Sequence, residues 1–547
     1  MKRRNFIKLA TATSALGLMP LEINALLKTV DLPIDCGDIS NRKLVLVNLV
    51  GGNDGLNTTV PINEYDKYAN LRPTIKIPNS GANSFITLDA TLSGNRQLGL
   101  HPALTGFKSL YDAGELRILQ SVGYPSQNKS HFASKDIYST GNDGNSWNNG
   151  NDSGWIGRFM EKFYPEETEA AYPLGVQMGS SKTELGFHGA EEHGLSINIT
   201  GQDPAGFFTE ISSLGGDPPS TIPNSDFGTE LDYIIDVNKT SNKYSKAISE
   251  AFDKGKNAVT ATYEDNDLSN QLKTVARLIS GGLQSKVYLV SIGGFDTHDS
   301  QIETNGDIKG KHHELLTEVS NAVETFINDV NDQNLGDDIV GLTYSEFGRK
   351  AKENGNLGTD HGEIAPMFIF GKPVNGGVSG VNVDLSEATD DNNYQIETIQ
   401  FDYRQTIATL LQDYLGASDT VIDNTFFNYS NNQSFINQKI PELIKDSHSI
   451  ATGCIVDTSI PEGNSNEKKW FVYPNPFTDR LNLNTLQEEL PGVNYKLYNY
   501  RGKLITQGAK QSINNTVLID MPDLASGIYF LQVESSGVTE NHKVFRL

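Results

Sequence analysis

Residues 337–362 read DDIVGLTYSEFGRKAKENGNLGTDHG. The run from Ile339 to Tyr344 is apolar and rich in β-formers, which predicts a short buried strand. It passes directly into Ser345-Glu346-Phe347-Gly348-Arg349, and Thr359-Asp360-His361-Gly362 closes the following loop. In open α/β sheets, ligands bind just beyond the carboxyl ends of strands. A carboxylate and an imidazole at such an end are the mixed oxygen and nitrogen donors that suit zinc, manganese or iron. Taken alone, Glu346 reads equally well as a solvated loop residue, and Asp-His-Gly as a plain turn. The same pattern recurs at two other strand ends.

Working outward, residues 44–50 (LVLVNLV) are continuously apolar, as in a central strand covered on both faces. The run ends in Gly51-Gly52-Asn53-Asp54-Gly55, which presents Asp54 at the strand's end. Turn chemistry alone also accounts for Gly-Asn-Asp, and no Gly-Lys-Ser/Thr follows to make a phosphate loop. Residues 286–292 are another β-rich run, followed by Gly293-Gly294-Phe295-Asp296-Thr297-His298. Two positions apart on extended chain, Asp296 and His298 point to one side and can reach one metal. Residues 101–113 predict a helix and 116–122 a strand, after which comes Lys129-Ser130-His131-Phe132. Ser130 reads there as a nucleophile or ligand, and equally as a helix N-cap, with its neighbour His131 turned the opposite way.

Helical periodicity marks 227–256, 268–280, 310–331 and 402–416, the third carrying His312 and His313 on its surface. A further short strand falls at 367–370. Strands alternating with helices argue for an α/β domain, over 42–444, with a mostly parallel sheet flanked by helices. Residues 141–154, rich in Gly and Asn, read as a loop. Residues 445–469 are polar and aperiodic, as in a linker. From 470 to 547, short alternating segments split by Gly, Asn and Pro predict a small antiparallel β-sandwich.

At 547 residues the chain is too long for one ordinary core. Its net charge of −24 disfavours nucleic acid and anionic membrane surfaces as partners, because both would repel it. Lys2-Arg3-Arg4-Asn5-Phe6-Ile7-Lys8 precedes a mildly apolar stretch, so residues 1–30 read as a twin-arginine export signal. The twin-arginine translocase is then an expected partner. The apolar stretch is too short and too polar to span a bilayer. Two cysteines, Cys36 and Cys454, make no disulfide framework; a pair and two free thiols both stay open.

Two resemblances follow from these residues. Phe471-Val472-Tyr473-Pro474-Asn475-Pro476-Phe477, Leu524-Ala525-Ser526-Gly527-Ile528-Tyr529-Phe530 and the closing Lys543-Val544-Phe545-Arg546 resemble the type A sorting domain of the Bacteroidetes type IX secretion system. That implies the type IX machinery as a partner, and release or anchoring at the cell surface. In the central region, GG-x-DG-LN, SHF, FDTH, SEFGR and GTDHG occur in this order. They resemble a bacterial family of unknown function (domain of unknown function 1501) placed with the alkaline phosphatase and sulfatase superfamily.

This second resemblance implies an alkaline-phosphatase-like fold. It implies metal ligation by Asp54, Asp296, His298, Glu346 and His361, with Ser130 as nucleophile. Three departures stand out. Glu346-Phe347 replaces the superfamily's usual Asp-His, Asp296 and His298 are spaced unusually closely, and Ser130 lacks the Pro and Arg context for formylglycine. The expected function is an exported metal-dependent hydrolase of phosphate or sulfate esters, acting on a small anionic ester or glycan. Zinc is the expected divalent metal, with manganese, calcium or iron as alternatives, and Arg349 is expected to hold the anion's oxygens. The alternative is a non-catalytic surface protein that keeps the fold and binds glycans or a partner.

Overall fold

The run beginning at Leu44 becomes the centre of the molecule. A computed structural model describes residues 39–145, 153–168, 170–179, 185–190, 196–199, 244–303, 307–426 and 439–450, and the C-terminal strands given below with a few residues beside them. Lys43–Leu49 (β1) is buried at every position. Val45, Val47 and Leu49 feed one core, and Leu44 and Leu46 feed another on the opposite face. A strand covered on both sides has no polar stripe, which is why the sequence shows none.

Eight further strands join β1: Leu116–Gly123 (β2), Gly175–Met178 (β3), Ser196–Ile199 (β4), Val287–Ile292 (β5), Ile339–Tyr344 (β6), Ala365–Phe370 (β7), Gly377–Ser379 (β8) and Phe401–Asp402 (β9). Their order is β8-β2-β7-β6-β1-β5-β3-β4, and β9 also pairs with β2. All pairings are parallel except those of β7, which runs against both β2 and β6. The helices that cover the sheet include Thr105–Asp112 (α1), His131–Thr140 (α2), Trp155–Phe163 (α3), Asp267–Ser280 (α4), Lys311–Asp332 (α5) and Tyr403–Asp413 (α6), and a short helix, Tyr65–Leu71, lies off the sheet. Helices α1, α4 and α5 pack on one face of the sheet, and α2, α3 and α6 on the other. The architecture is the mostly parallel α/β sheet flanked by helices that the alternating pattern predicts.

Register decides where the loops open. Asn48 of β1 lies opposite Ser291 of β5 and Tyr344 of β6, so the three strands end level. β2 runs the same way, and the antiparallel β7 begins at the same edge. The loops after β1, β2, β5 and β6 therefore meet on one rim, and α2 starts there.

The C-terminal strands make two antiparallel sheets of their own. One holds Phe471–Tyr473, Arg480–Asn484 and Thr516–Asp520; the other holds Val493–Asn499, Leu504–Lys510, Gly527–Ser535 and Val538–Arg546. Leu481, Leu497, Val517, Leu531 and Val544 close a separate core there. The expected export signal over residues 1–30, Cys36, Cys454 and residues 227–243 lie outside the described residues. Of the residues read as a linker, 445–450 stay hydrogen-bonded to the α/β part, with the Lys445 amide donating to Pro373 O at 2.9 Å and the Ile450 amide to Asp413 O at 2.8 Å.

One helical face differs from expectation. His312 is buried, 3.1 Å from Asn53 Oδ1 through Nε2. It begins the stripe that continues through Leu316, Val319 and Val323, so helical spacing puts it on the core side of α5. Burial lowers its pKa to about 4.

Candidate metal centre

The rim is held together by glycine and by one arginine. Beyond β1 the chain turns through Gly51 (φ 126°) and Gly52 (φ 83°). A β-carbon on Gly51 would lie 2.3 Å from the Asp296 amide nitrogen, and one on Gly52 2.4 Å from the Phe347 ring. Only glycine allows the loops after β5 and β6 to approach this closely. Arg349 then ties them. Its buried guanidinium donates to the carbonyls of Gly51, Gly52 (2.7 Å), Phe295 (3.0 Å) and Thr359 (2.8 Å), and to Asp296 Oδ1 (2.8 Å). Arg349 and His361 also face each other in an antiparallel backbone bridge, which brings the end of the long loop back over the rim.

Three imidazoles gather around Asp296. His131 Nδ1 lies 2.9 Å from Glu346 Oε1, His298 Nδ1 3.3 Å from Asp360 Oδ1, and His361 Nδ1 2.8 Å from the Lys129 carbonyl oxygen. Each of these partners only accepts, so the hydrogen-bond network assigns the proton to Nδ1 in all three rings. The Nε2 lone pairs then turn inward. His131 Nε2 lies 3.5 Å from Asp296 Oδ2, and the Nε2 atoms of His298 and His361 each lie 3.4 Å from Asp296 Oδ1. The last two nitrogens are 2.9 Å apart. Two lone pairs do not face each other at that distance without a proton or cation between them.

The donor set fits a cation. Atoms about 2.0–2.1 Å from a common centre at tetrahedral angles lie about 3.3 Å from one another. The three Nε2 atoms lie 3.4–3.5 Å from the Asp296 oxygens, close to that spacing, and the His298–His361 pair is tighter. His131, Asp296 and His361 offer ligand atoms all within 4.8 Å of each other. His131 Nε2 is buried with no hydrogen-bond partner. Carboxylate or carbonyl acceptors behind each ring are the usual support of metal-binding histidines.

The electrostatics favour the charged acids and a neutral ring. Burial pushes the Asp296 carboxyl up, but the hydrogen bond and charge of Arg349 outweigh it and hold it below the usual range. Glu346 is likewise pushed up by burial and brought down by hydrogen bonds from His131 and the Gly51 amide. Burial lowers the pKa of His361, with the Arg349 charge adding to it. Phe347 packs against the His131 and His361 rings, at centroid distances of 4.8 and 4.6 Å, and closes the site from below.

The structure thus brings Asp296, His298 and His361 together and adds His131, which sequence reasoning turned away. Glu346 stands behind His131 as its acceptor. Asp54 sits elsewhere: fully buried, its Oδ2 accepts from Arg72 and from Gln301, both at 2.6 Å. Ser130 is exposed at the start of α2 and its hydroxyl makes no capping bond. Arg349 directs its donors at carbonyls and at Asp296. The signal for His131 was present in the sequence, since it follows a strand end as the other two histidines do.

A family model described as "Protein of unknown function (DUF1501)" matches residues 41–414. The chain belongs to this family. Within the DUF1501 match lie all the residues of the cluster. A second model, the secretion system C-terminal sorting domain, matches residues 471–545. It marks the protein for export to the cell surface or for secretion, and implies engagement of the type IX secretion machinery. Among the described residues, no helix is long and apolar enough to cross a membrane.

No curated protein matches the chain. Among solved structures, the lipoteichoic acid synthase LtaP from Listeria monocytogenes is similar at 11% identity over 64% of this chain and 70% of its own, with TM-score 0.28. An alkaline phosphatase superfamily protein from Vibrio parahaemolyticus is similar at 9% identity over 88% and 82%, with TM-score 0.27. Latent PorU from Porphyromonas gingivalis is similar at 15% identity over 14% of this chain and 9% of its own, with TM-score 0.12.

Proposed function

We propose that the α/β domain is an exported metal-dependent hydrolase of phosphate or sulfate esters, with a single divalent cation held by His131, His298, His361 and Asp296. The observation that carries this reading is the inward turn of three Nε2 atoms to within 3.4–3.5 Å of one carboxylate, with His131, Asp296 and His361 offering ligand atoms within 4.8 Å of one another. Three nitrogens and one oxygen favour zinc, then manganese or iron, over calcium, which takes six to eight oxygens. When bound, such an ion supplies Lewis-acid polarisation of an ester oxygen and a more acidic water.

The chain's own groups do the rest. Glu346, Asp360 and the Lys129 carbonyl keep the Nδ1 protons in place, so the Nε2 atoms stay basic and aimed. Arg349 is a positioning residue in this reading, because its donors hold Asp296 and the loop carbonyls and not a substrate anion. Asp54 is neutralised by Arg72 beneath the rim. Placement with the alkaline phosphatase superfamily rests on the strand-end motifs, and Ser130 is the nucleophile they imply. A serine hydroxyl needs a base or a metal beside it, and that of Ser130 hydrogen-bonds to no described residue. This favours, as a second reading, a surface protein that binds glycans or a partner without turnover.

Metal analysis of the purified full chain, with turnover of p-nitrophenyl phosphate and p-nitrophenyl sulfate, tests both. The hydrolase reading expects one metal ion per chain, lost in His131→Ala, and turnover abolished by chelation. Metal without turnover leaves the binding reading. A chain without metal, or one whose metal persists in both His131→Ala and His361→Ala, overturns the site. Export through the twin-arginine translocase is proposed from Arg3 and Arg4; unchanged export after both are replaced by Lys would sink it.

A further inference from the structure

The rim carries an apolar side chain that the metal centre does not use. Phe132 is 86% exposed, and among the described residues it is the only large apolar side chain of the α/β part left in solvent. Phenylalanine normally gains by burial, so this exposure forgoes that stabilisation. Its place is specific: it directly follows His131 in the first turn of α2. Nor is the turn loose. Ser134 Oγ donates to the Glu346 carbonyl at 2.5 Å and meets Tyr124 Oη at 2.7 Å, and Gln127 Nε2 donates to the same carbonyl at 3.0 Å. The backbone under Phe132 is therefore fixed relative to the cluster.

A cation shares the helix face. Lys135 lies three residues after Phe132 and four after His131, so helical spacing puts it beside both. It is half-buried, and it has no hydrogen-bond or ion-pair partner among the described residues. Lys129 and Lys350, by contrast, are paired with Glu363 (2.7 Å) and Asp360 (3.3 Å). The rim thus offers an exposed aromatic face, an ammonium group whose charge reaches Glu346 without forming an ion pair, and an inward set of metal donors.

We propose that Phe132 is a substrate-contacting residue: the flat apolar face of an aryl or pyranose ring joined to the ester stacks on it, while Lys135 faces the ester's anionic oxygens. The inference rests on the ester reading above and names its substrate class as ring-bearing. An aliphatic ester fills only the metal and Lys135 positions. Offset or edge contact between ring faces is a modest interaction, so the expected preference is modest as well.

Calorimetric titration of the zinc-loaded full chain with phenyl phosphate, glucose 6-phosphate and methyl phosphate tests this. The wild type binds one of the ring phosphates about 3- to 10-fold more tightly than methyl phosphate. Phe132→Ala removes that ratio and leaves zinc content and methyl phosphate affinity unchanged; Phe132→Tyr keeps it. Lys135→Gln weakens all three phosphates alike. Preference for phenyl phosphate assigns an aryl ring, and preference for glucose 6-phosphate a sugar. Equal binding of all three by the wild type, or a ratio that survives Phe132→Ala, overturns the proposal. If neither these phosphates nor phenyl sulfate binds the wild type, the ester reading falls, and neutral phenyl glucoside then decides Phe132. Binding lost in Phe132→Ala keeps the ring contact, and no binding at all removes it.

Discussion

Asp54 and Asp296 both follow a strand end on the same rim, yet they are balanced in opposite ways. Asp54 has no exposed surface, and its charge is met by Arg72, itself fully buried. Asp296 has a side chain 47% exposed; Arg349 holds one of its oxygens, and three imidazole nitrogens surround the carboxylate. A buried acid must be neutralised as the chain folds, because an isolated buried charge is too costly. A half-exposed acid ringed by lone pairs leaves room for a cation that exchanges with solvent. The sequence motifs treat both aspartates alike; their partners set one apart as a neutralised buried acid and the other as a candidate ligand.

The largest effect comes from breaking the buried balance. Arg72→Met strands the Asp54 charge and is expected to lower stability by about 3–5 kcal/mol. Adding Asp54→Asn in the same chain recovers most of it. Urea unfolding of the α/β transition reads both, and a loss under about 1 kcal/mol would mean that something other than Arg72 neutralises Asp54.

Next is the support of the open site. Glu346→Gln removes the carboxylate behind His131 and is expected to weaken metal binding about 10–100-fold, measured by competition with a chromophoric chelator. Asp54→Asn should leave that affinity unchanged. Equal losses in the two variants would place Asp54 in the ligand set after all.

A smaller difference appears with acid. Burial raises the Asp54 carboxyl, but the charge and hydrogen bond of Arg72 outweigh it, so the folded value lies below the ordinary one. The unfolded chain then binds the proton more readily. The stabilisation is complete above the unfolded carboxyl value, near about 3.9, and is lost as pH falls through the folded value. Urea midpoints measured downward from about pH 4 should fall less steeply for the double Arg72→Met, Asp54→Asn variant than for the wild type. Parallel slopes would show that Asp54 does not titrate below its usual range. The smallest effect is at Ser130: with no capping bond to lose, Ser130→Ala should change stability by under about 0.5 kcal/mol. A loss near 1 kcal/mol would reveal a cap formed in solution.

The sheet was legible because its signals are local. Runs such as 44–50 and 339–344 are apolar throughout, and the residues that follow them announce the rim. Asp296, His298 and His361 stand out as candidates for the same reason. What escaped depends on contacts between distant segments. Nothing near Asp54 shows that Arg72, at the end of a short helix, will reach its carboxylate. Arg349 looks like an anion binder until the loop carbonyls close around it. His131 was passed over because the serine before it drew the chemical reading, and only the approach of Glu346, more than two hundred residues later, turns its ring inward. His312 was misplaced although its spacing from Leu316 and Val319 was visible.

The Arg349 clamp has a thermodynamic consequence. The bonds that order the loops after β1, β5 and β6 run from chain to chain, so they hold whether or not an ion is present. Ion uptake then requires no folding step. Its heat-capacity change should be close to zero, and its rate should follow diffusion and ligand deprotonation, not loop closure. Chelation empties such a site without melting the domain, unlike the small metal-dependent folds that collapse when stripped. In the proposed reading, the scaffold keeps one shape whether an ion arrives before export or after it.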